Sequence, residues 1–71
     1  MKKKIYLLKR FGISVSIRRR DFGITQMKLA ELAGCSLQAI GNIERGCANP
    51  SLIMVYRIAY ALEISPKDLI P

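Results

Sequence analysis

The sequence predicts a compact all-α domain, a bundle of five short helices with no sheet. Its 71 residues are enough for one small domain with a modest core. Apolar residues make up 51% of the chain, too many for a disordered protein, and many recur at helical spacing. Ser and Thr residues that favour helix starts are followed, at helical distances, by Gly residues that favour helix ends.

The N-terminal third predicts a basic arm and then the first helix. Residues 1–6 are expected to form the arm, disordered at least over Met1 to Lys4, and residues 7–71 to form the domain. Gly12 should weaken the helix slightly, and β-branched residues leave an N-terminal strand as an alternative. The first helix is expected from Leu7 to Asp21, before a C-terminal cap at Gly23. Its apolar positions are Leu8, Phe11, Val15 and Phe22.

Four residues mark the starts of the remaining helices, because Ser and Thr side chains can accept hydrogen bonds from free backbone amides. The predicted caps are Thr25, Ser36 and Ser51, and Ser65 opens the fifth helix. The second and third helices should end at Ala33 and Arg45, each followed by a glycine. Pro66 is suited to the first position of the fifth helix. The fourth helix has a predicted buried stripe of Leu52, Val55, Ile58, Ala59 and Leu62.

The segment from Gln26 to Arg45 has the properties of two helices packed across one tight turn. Gly34 can adopt the positive φ that the turn needs, and Ala30 is small enough for a close crossing. The expected apolar anchors are Leu29, Ala33, Ile40 and Ile43. Together these features indicate a helix-turn-helix motif.

The outward face of the third helix predicts contact with DNA bases. This face is expected to be uncharged, with Leu37, Gln38, Gly41 and Asn42 exposed. Gln and Asn amides can form paired hydrogen bonds with adenine, and an apolar side chain can contact a thymine methyl group. The alternative is a polar face that only contacts solvent.

Charge and composition point to the same class of partner. The formal net charge is +7, and eight of the twelve basic residues precede position 21. Such a distribution favours nucleic acid, or, less often, an anionic membrane. Matched apolar stripes on several helices favour a folded core over a membrane-surface peptide, and no apolar run approaches the roughly 18 residues of a membrane span.

The residue content gives no indication of an enzyme, a metal site, a cofactor or a small-molecule ligand. Histidine is absent, and two cysteines alone do not form a structural zinc site. No nucleophile elbow or phosphate-binding loop is present. We expect a cytoplasmic protein, with Cys35 and Cys47 reduced as partly buried small residues.

A combination of short motifs resembles the phage repressor and Cro-type, or Xre-like, helix-turn-helix family. The motifs are TQ, LAxxxG, IERG, NPS and LxISP, and the resemblance extends from about Phe11 to Ile70. It implies a lambda-repressor-like DNA-binding domain and a bacterial or phage transcriptional regulator, associated with the nucleoid and specific for double-stranded DNA. Such a protein would act as a homodimer on a palindromic operator, with the recognition helix, residues 36–45, in the major groove. The alternative is an antitoxin or switch partner that uses this domain mainly for protein contacts.

The resemblance also implies roles for individual residues. Arg19 and Glu44 would form a structural ion pair, and Gln26 would also brace the recognition helix. Base contacts are expected from Leu37, Gln38 and Asn42. Phosphate contacts are expected from Arg18, Gln26, Ser36, Arg45 and Asn49.

The dimer surface is expected on the fifth helix and the loop before it. An exposed apolar patch there could pair with a second copy. The alternative is that the same residues close the core of the monomer. They are Tyr56, Tyr60, Ile64, Leu69 and Ile70.

Overall fold

A computed structural model describes residues 2–71 and contains four α-helices followed by one 3-10 turn. The helices are α1 (Lys2–Phe22), α2 (Gln26–Ala33), α3 (Leu37–Glu44) and α4 (Leu52–Ala61), and the turn is Pro66–Asp68. The predicted all-α class is confirmed, but the predicted fifth helix is wrong. The segment closes through short-range bonds, such as Leu69 N–H to Pro66 O at 3.0 Å. Leu69 is then buried, so one turn suffices to close the core.

The first helix starts at Lys2, five residues earlier than predicted. The segment expected to be a disordered arm or a strand is therefore helical, apart from Met1, which lies outside the described residues. No Gly or Pro interrupts residues 2–10, so a helix anchored by buried Phe11 and Val15 can extend in the N-terminal direction. The Arg10 guanidinium lies 5.7 Å from the centre of the Tyr6 ring and stabilises this extension. The division into arm and domain stays a prediction.

The predicted helix caps at Thr25, Ser36 and Ser51 are confirmed. Each side-chain hydroxyl accepts a hydrogen bond from the backbone amide three residues later, at 3.0 to 3.1 Å. Gly34 ends α2 with a φ of +72°, a conformation that favours glycine. The third helix ends at Glu44, one residue earlier than predicted, and Arg45 is its C-cap.

The core draws on all four helices and the segment after α4. The buried apolar residues are Phe11, Val15, Leu29, Ala30, Ala33, Ile40, Ile43, Ile58, Ala59, Leu62 and Leu69. Two predicted core residues are exposed instead: Leu52 by 67% and Phe22 by 41%. Both lie at a helix end, where the packed stripe no longer faces another element. Leu8 and Val55 are half-buried.

Gly12 lets α1 pass very close to the end of α3. A Cβ atom at this position would lie 2.3 Å from the carbonyl oxygen of Ile43 and 2.7 Å from that of Glu44. The absence of a side chain is therefore a packing requirement, whereas the sequence suggested only a weaker helix. This close approach fixes the C-terminal end of α3 against α1.

Candidate nucleic-acid interface

The two central helices have the packing expected of a helix-turn-helix motif. Ala30 on α2 is only 3% exposed, as a small residue at a close crossing should be. The Cys35 amide donates to Ala30 O at 2.9 Å across the Gly34 turn. The predicted apolar anchors Leu29, Ala33, Ile40 and Ile43 are all buried. One face of α3 is therefore fixed in the core, which leaves the opposite face free.

An ion pair with a third partner holds α3 in place. Arg19 Nε lies 2.7 Å from Glu44 Oε2, and Arg19 Nη2 lies 3.2 Å from Glu44 Oε1. Gln26 Nε2 also donates to Glu44 Oε1, at 2.9 Å, while Arg19 Nη1 donates to Ile24 O. The structure thus joins α1, the start of α2 and the end of α3 as the resemblance implied. Among residues 2–71, every buried side-chain nitrogen and oxygen has a partner.

The same contacts determine the charge state of Glu44. Burial by itself would raise the pKa of this carboxyl group. Hydrogen bonds from Arg19 and Gln26, together with the charges of Arg19 and Arg20, outweigh burial and hold the pKa below its ordinary value. Glu44 is therefore ionised at neutral pH and pairs with a permanent guanidinium charge.

The residues predicted to contact bases lie on the free face of α3. Leu37 is 46% exposed, Gln38 is exposed and Asn42 is half-buried. Ser36 caps the helix through Oγ, which accepts from the Ala39 amide. The side chains of Leu37 and Gln38 are therefore presented by the first turn of a capped helix, the part that enters the major groove in helix-turn-helix proteins.

Arg45 lies on this face as well, so the prediction of an uncharged face is wrong. Its Nη2 donates to Asn42 Oδ1. A Cβ atom built on Gly41 would lie 3.1 Å from Arg45 Nη1. The guanidinium therefore covers Gly41, which is why this glycine is buried on an outward face. Arg45 lies four residues after Gly41 and three after Asn42, and residues at these spacings are neighbours on a helix. This spacing is the sequence feature that could have predicted Arg45 on the same face.

The other residues predicted to contact phosphate lie on three different parts of the chain. Gln26 uses one amide hydrogen on Glu44, which leaves a second donor for another acceptor. Arg18 is exposed on α1, and Asn49 is exposed in the loop between α3 and α4. Both lie outside the Arg19–Gln26–Glu44 network.

The dimer surface stays a prediction, and the expected exposure holds for only some of its residues. Leu69 is fully buried and closes the core, so it cannot face a second copy. Tyr56, Tyr60 and Ile70 are exposed, and Ile64 is half-buried. A groove of about 400 Å³ lies along α4. Its lining residues are Leu32, Ile53, Tyr56, Arg57, Ala59, Tyr60, Ile64 and Pro66.

Comparison with known proteins identifies the family. The model of the helix-turn-helix family matches residues 15–69. This chain belongs to that family. The uncharacterized HTH-type transcriptional regulator y4dJ of Sinorhizobium fredii is 36% identical over 59 residues, which cover 83% of this chain and 77% of the relative.

Two solved structures of regulators resemble this helix-turn-helix chain. The restriction-modification controller protein C.AhdI from Aeromonas hydrophila matches with a TM-score of 0.87 and 36% identity, over 89% of this chain and 96% of that one. The clp gene regulator ClgR from Corynebacterium glutamicum matches with a TM-score of 0.86 and 28% identity, over 89% and 67% of the two chains. The resemblance seen in the sequence motifs is therefore confirmed.

Over residues 2–71, no helix is long and apolar enough to cross a bilayer, and no cluster of side chains suited to holding a metal ion is found. Cys35 is half-buried and Cys47 is exposed, and both are free thiols. Burial raises the pKa of Cys35, although the charge of Arg57 acts in the opposite direction.

Proposed function

We propose that this chain is a transcriptional regulator that binds specific sequences of double-stranded DNA through α3. One observation carries the proposal: a short capped helix, fixed in the core on one side, presents Leu37, Gln38 and Asn42 on the other. The net charge of +7 supports an anionic partner. The names of the relatives, which are those of transcriptional regulators, agree with it.

In the proposed complex, α3 enters the major groove, and basic and amide side chains contact the phosphates beside it. Arg18 and Asn49 are exposed and available, and Gln26 retains one free amide hydrogen. Such contacts give affinity without sequence preference, whereas contacts to base edges select the sequence. Because the phosphate contacts release counterions, binding should weaken steeply as the salt concentration rises.

We further propose that two copies bind a palindromic operator. A single domain of this size buries little DNA surface, and a dimer would place two α3 helices about 34 Å apart, one turn of the duplex. The groove along α4 is the proposed contact between copies. Ile53, Tyr56 and Tyr60 follow one another at spacings of three and four residues, so they share one exposed face of α4.

In vitro selection of bound duplexes, followed by titrations on the selected sequence, tests both parts. We expect one enriched motif with two-fold symmetry. Gln38→Ala and Asn42→Ala should weaken binding to it and relax the preference at particular base pairs. Lys67→Ala is a matched control, because this exposed residue lies in the 3-10 turn and outside α3.

Two results would contradict the proposal. If Gln38→Ala and Asn42→Ala leave affinity and preference unchanged, α3 is not the reading element. If the wild-type protein binds no duplex even at low salt, the alternative use of the domain for protein contacts, as in an antitoxin or switch partner, is favoured instead.

A further inference from the structure

We infer that Arg45 reads a guanine in the major groove, instead of serving only as a phosphate contact at the end of the recognition helix. This inference rests on the proposed function and assigns a specificity residue to the same site. It follows from the position of the guanidinium, from the residue underneath it and from its hydrogen bond to Asn42.

The Arg45 side chain extends back along α3 toward its N-terminal end. Arg45 is the C-cap, yet its Nη1 atom lies 3.1 Å from the place where a Gly41 Cβ would be, one turn earlier. Gln38 lies a further turn along the same face. The guanidinium is thus among the residues proposed to face the bases.

Gly41 makes this arrangement possible. The Cζ and Nη2 atoms of Arg45 both lie 3.8 Å from the same virtual Cβ, so the guanidinium as a whole rests on the glycine. An alanine methyl group would contact Nη1 closely and displace the side chain by a few tenths of an ångström. Glycine in a helix interior costs up to about 1 kcal/mol relative to alanine. The position of Arg45 gives this glycine a function.

The bond to Asn42 changes what both residues can recognise. Asn42 Oδ1 already accepts from Arg45, so one of its two lone pairs is occupied. Adenine recognition by Asn requires both a donor and an acceptor, and the bond to Arg45 competes with adenine for that acceptor. Arg45 uses one of its five N–H groups, and the remaining four include enough to bond guanine O6 and N7 together.

The geometry also lowers the entropic cost of reading the base. A free arginine side chain loses rotamer freedom when it is fixed on a ligand. Here the hydrogen bond to Asn42 and the contact with Gly41 already restrict Arg45 before DNA arrives. The structure therefore points to guanine at the position facing Arg45, where the sequence alone suggested adenine for Asn42.

In vitro selection with wild-type, Arg45→Lys and Arg45→Ala proteins tests the inference. The wild-type protein should enrich guanine at one position in each half-site. Both variants should lose that preference by roughly 10- to 100-fold, because lysine keeps the charge but not the planar pair of donors. Arg18→Ala is the matched control, since loss of an exposed charge on α1 should lower affinity for all duplexes alike.

A second measurement uses only the wild-type protein and so does not depend on how a variant folds. The selected duplex is compared with one that carries 7-deazaguanine, which lacks the N7 acceptor, at the enriched position. We expect affinity to fall about tenfold at that position, and to be unchanged when the substitution is made outside the site.

The outcomes separate this inference from the proposed function. If the wild-type protein enriches no sequence, the proposed function itself fails. If it enriches a sequence but Arg45→Lys keeps the same base preferences, or 7-deazaguanine has no effect, then Arg45 contacts phosphate only and the inference is overturned. If the Arg45→Ala protein still enriches guanine at that position, the inference is likewise overturned.

Discussion

At the scale of single residues, Glu44 connects three helices because it accepts hydrogen bonds from both Arg19 and Gln26. The exposed fractions of the Arg19 and Glu44 side chains are only 10% and 7%. Removing one member of such a pair leaves the other charge buried without a partner. The exposed pair of Lys28 and Glu31, in contrast, should contribute little to stability.

We predict that Glu44→Gln lowers the free energy of unfolding by about 3 kcal/mol at pH 7, because Arg19 loses its counter-charge. Equilibrium denaturation in urea measures this change. Glu31→Gln is the control and should shift the free energy by no more than about 0.5 kcal/mol. Similar losses for the two variants would contradict a stabilising role for the ion pair.

The pH dependence of stability follows from the same residue. The pKa of Glu44 in the folded chain lies below its ordinary value, which is about 4.3 in an unfolded chain. The unfolded state therefore takes up the proton first as the pH falls. The contribution of Glu44 is complete above about pH 4.3 and is lost as the pH falls through the folded-state value. Glu44→Gln should flatten the acid limb of stability measured between pH 3 and 6, and an unchanged slope would contradict the assignment.

At the scale of elements, the fixed position of α3 depends on its close contact with α1 at Gly12. A side chain at this position would clash with the backbone carbonyl oxygens of Ile43 and Glu44. Backbone atoms cannot move aside as easily as the end of a flexible side chain. The two helices would have to separate. The Arg19–Glu44 bonds lie along the same crossing and would lengthen as a result.

We predict that Gly12→Ala destabilises the fold by about 1–3 kcal/mol, even though alanine favours an isolated helix. Thermal unfolding followed by circular dichroism should show a lower midpoint, by roughly 4–8 °C for each kcal/mol in a domain of this size. Ser16→Ala, in the same helix, is the control and should have little effect or raise the midpoint. A midpoint raised by Gly12→Ala would contradict the close crossing.

The helix boundaries were predicted well wherever a side chain forms a hydrogen bond with the backbone of its own helix. Thr25, Ser36 and Ser51 cap their helices as expected. The start of α1 was not predicted, because residues 2–6 include no Ser, Thr, Asp or Asn to indicate a helix start, and the stability of this segment comes from residues packed further along the chain. Leu69 was misassigned for a related reason: an apolar residue near a chain end can face either the core or a partner, and only packing decides.

The site itself was predictable only as far as it depends on helical periodicity. The outward positions of Leu37 and Gln38 follow from the apolar stripe on the other side of α3. The path of a long side chain such as Arg45 depends on the space that Gly41 leaves and on the acceptor at Asn42. Gly41 and Asn42 can be read from the sequence, but their spacing from Arg45 does not by itself determine the rotamer of Arg45.

At the scale of the whole molecule, the groove along α4 should determine oligomeric state. Tyr60 is 86% exposed, which is unusual for an aromatic ring. We predict that Tyr60→Glu abolishes the dimer in sedimentation experiments and weakens binding to a two-half-site operator, while binding to a single half-site is retained. Leu52→Glu is the control, since Leu52 is also exposed but does not line the groove. A wild-type monomer, free and DNA-bound, would rule out this model.

The charge distribution along α1 gives a final prediction about the whole molecule. Lys2, Lys3 and Lys4 occupy the first turn of this helix, where positive charge opposes the helix dipole and no acidic residue compensates. Their position therefore destabilises the free helix, and an anionic partner would relieve that repulsion. The triple substitution of these lysines by Gln should raise the helical content of the free protein slightly.

The same triple substitution should weaken binding to all duplexes alike and reduce the dependence of affinity on salt. Each phosphate contact contributes about 0.9 to the slope of log K against log salt concentration. Up to three such contacts per chain are therefore expected to disappear, while the selected sequence stays the same. Lys28→Gln, on α2 and paired with Glu31, is the control. An unchanged slope would show that the first turn of α1 lies away from the duplex. In that case the three lysines would bind a different anionic partner.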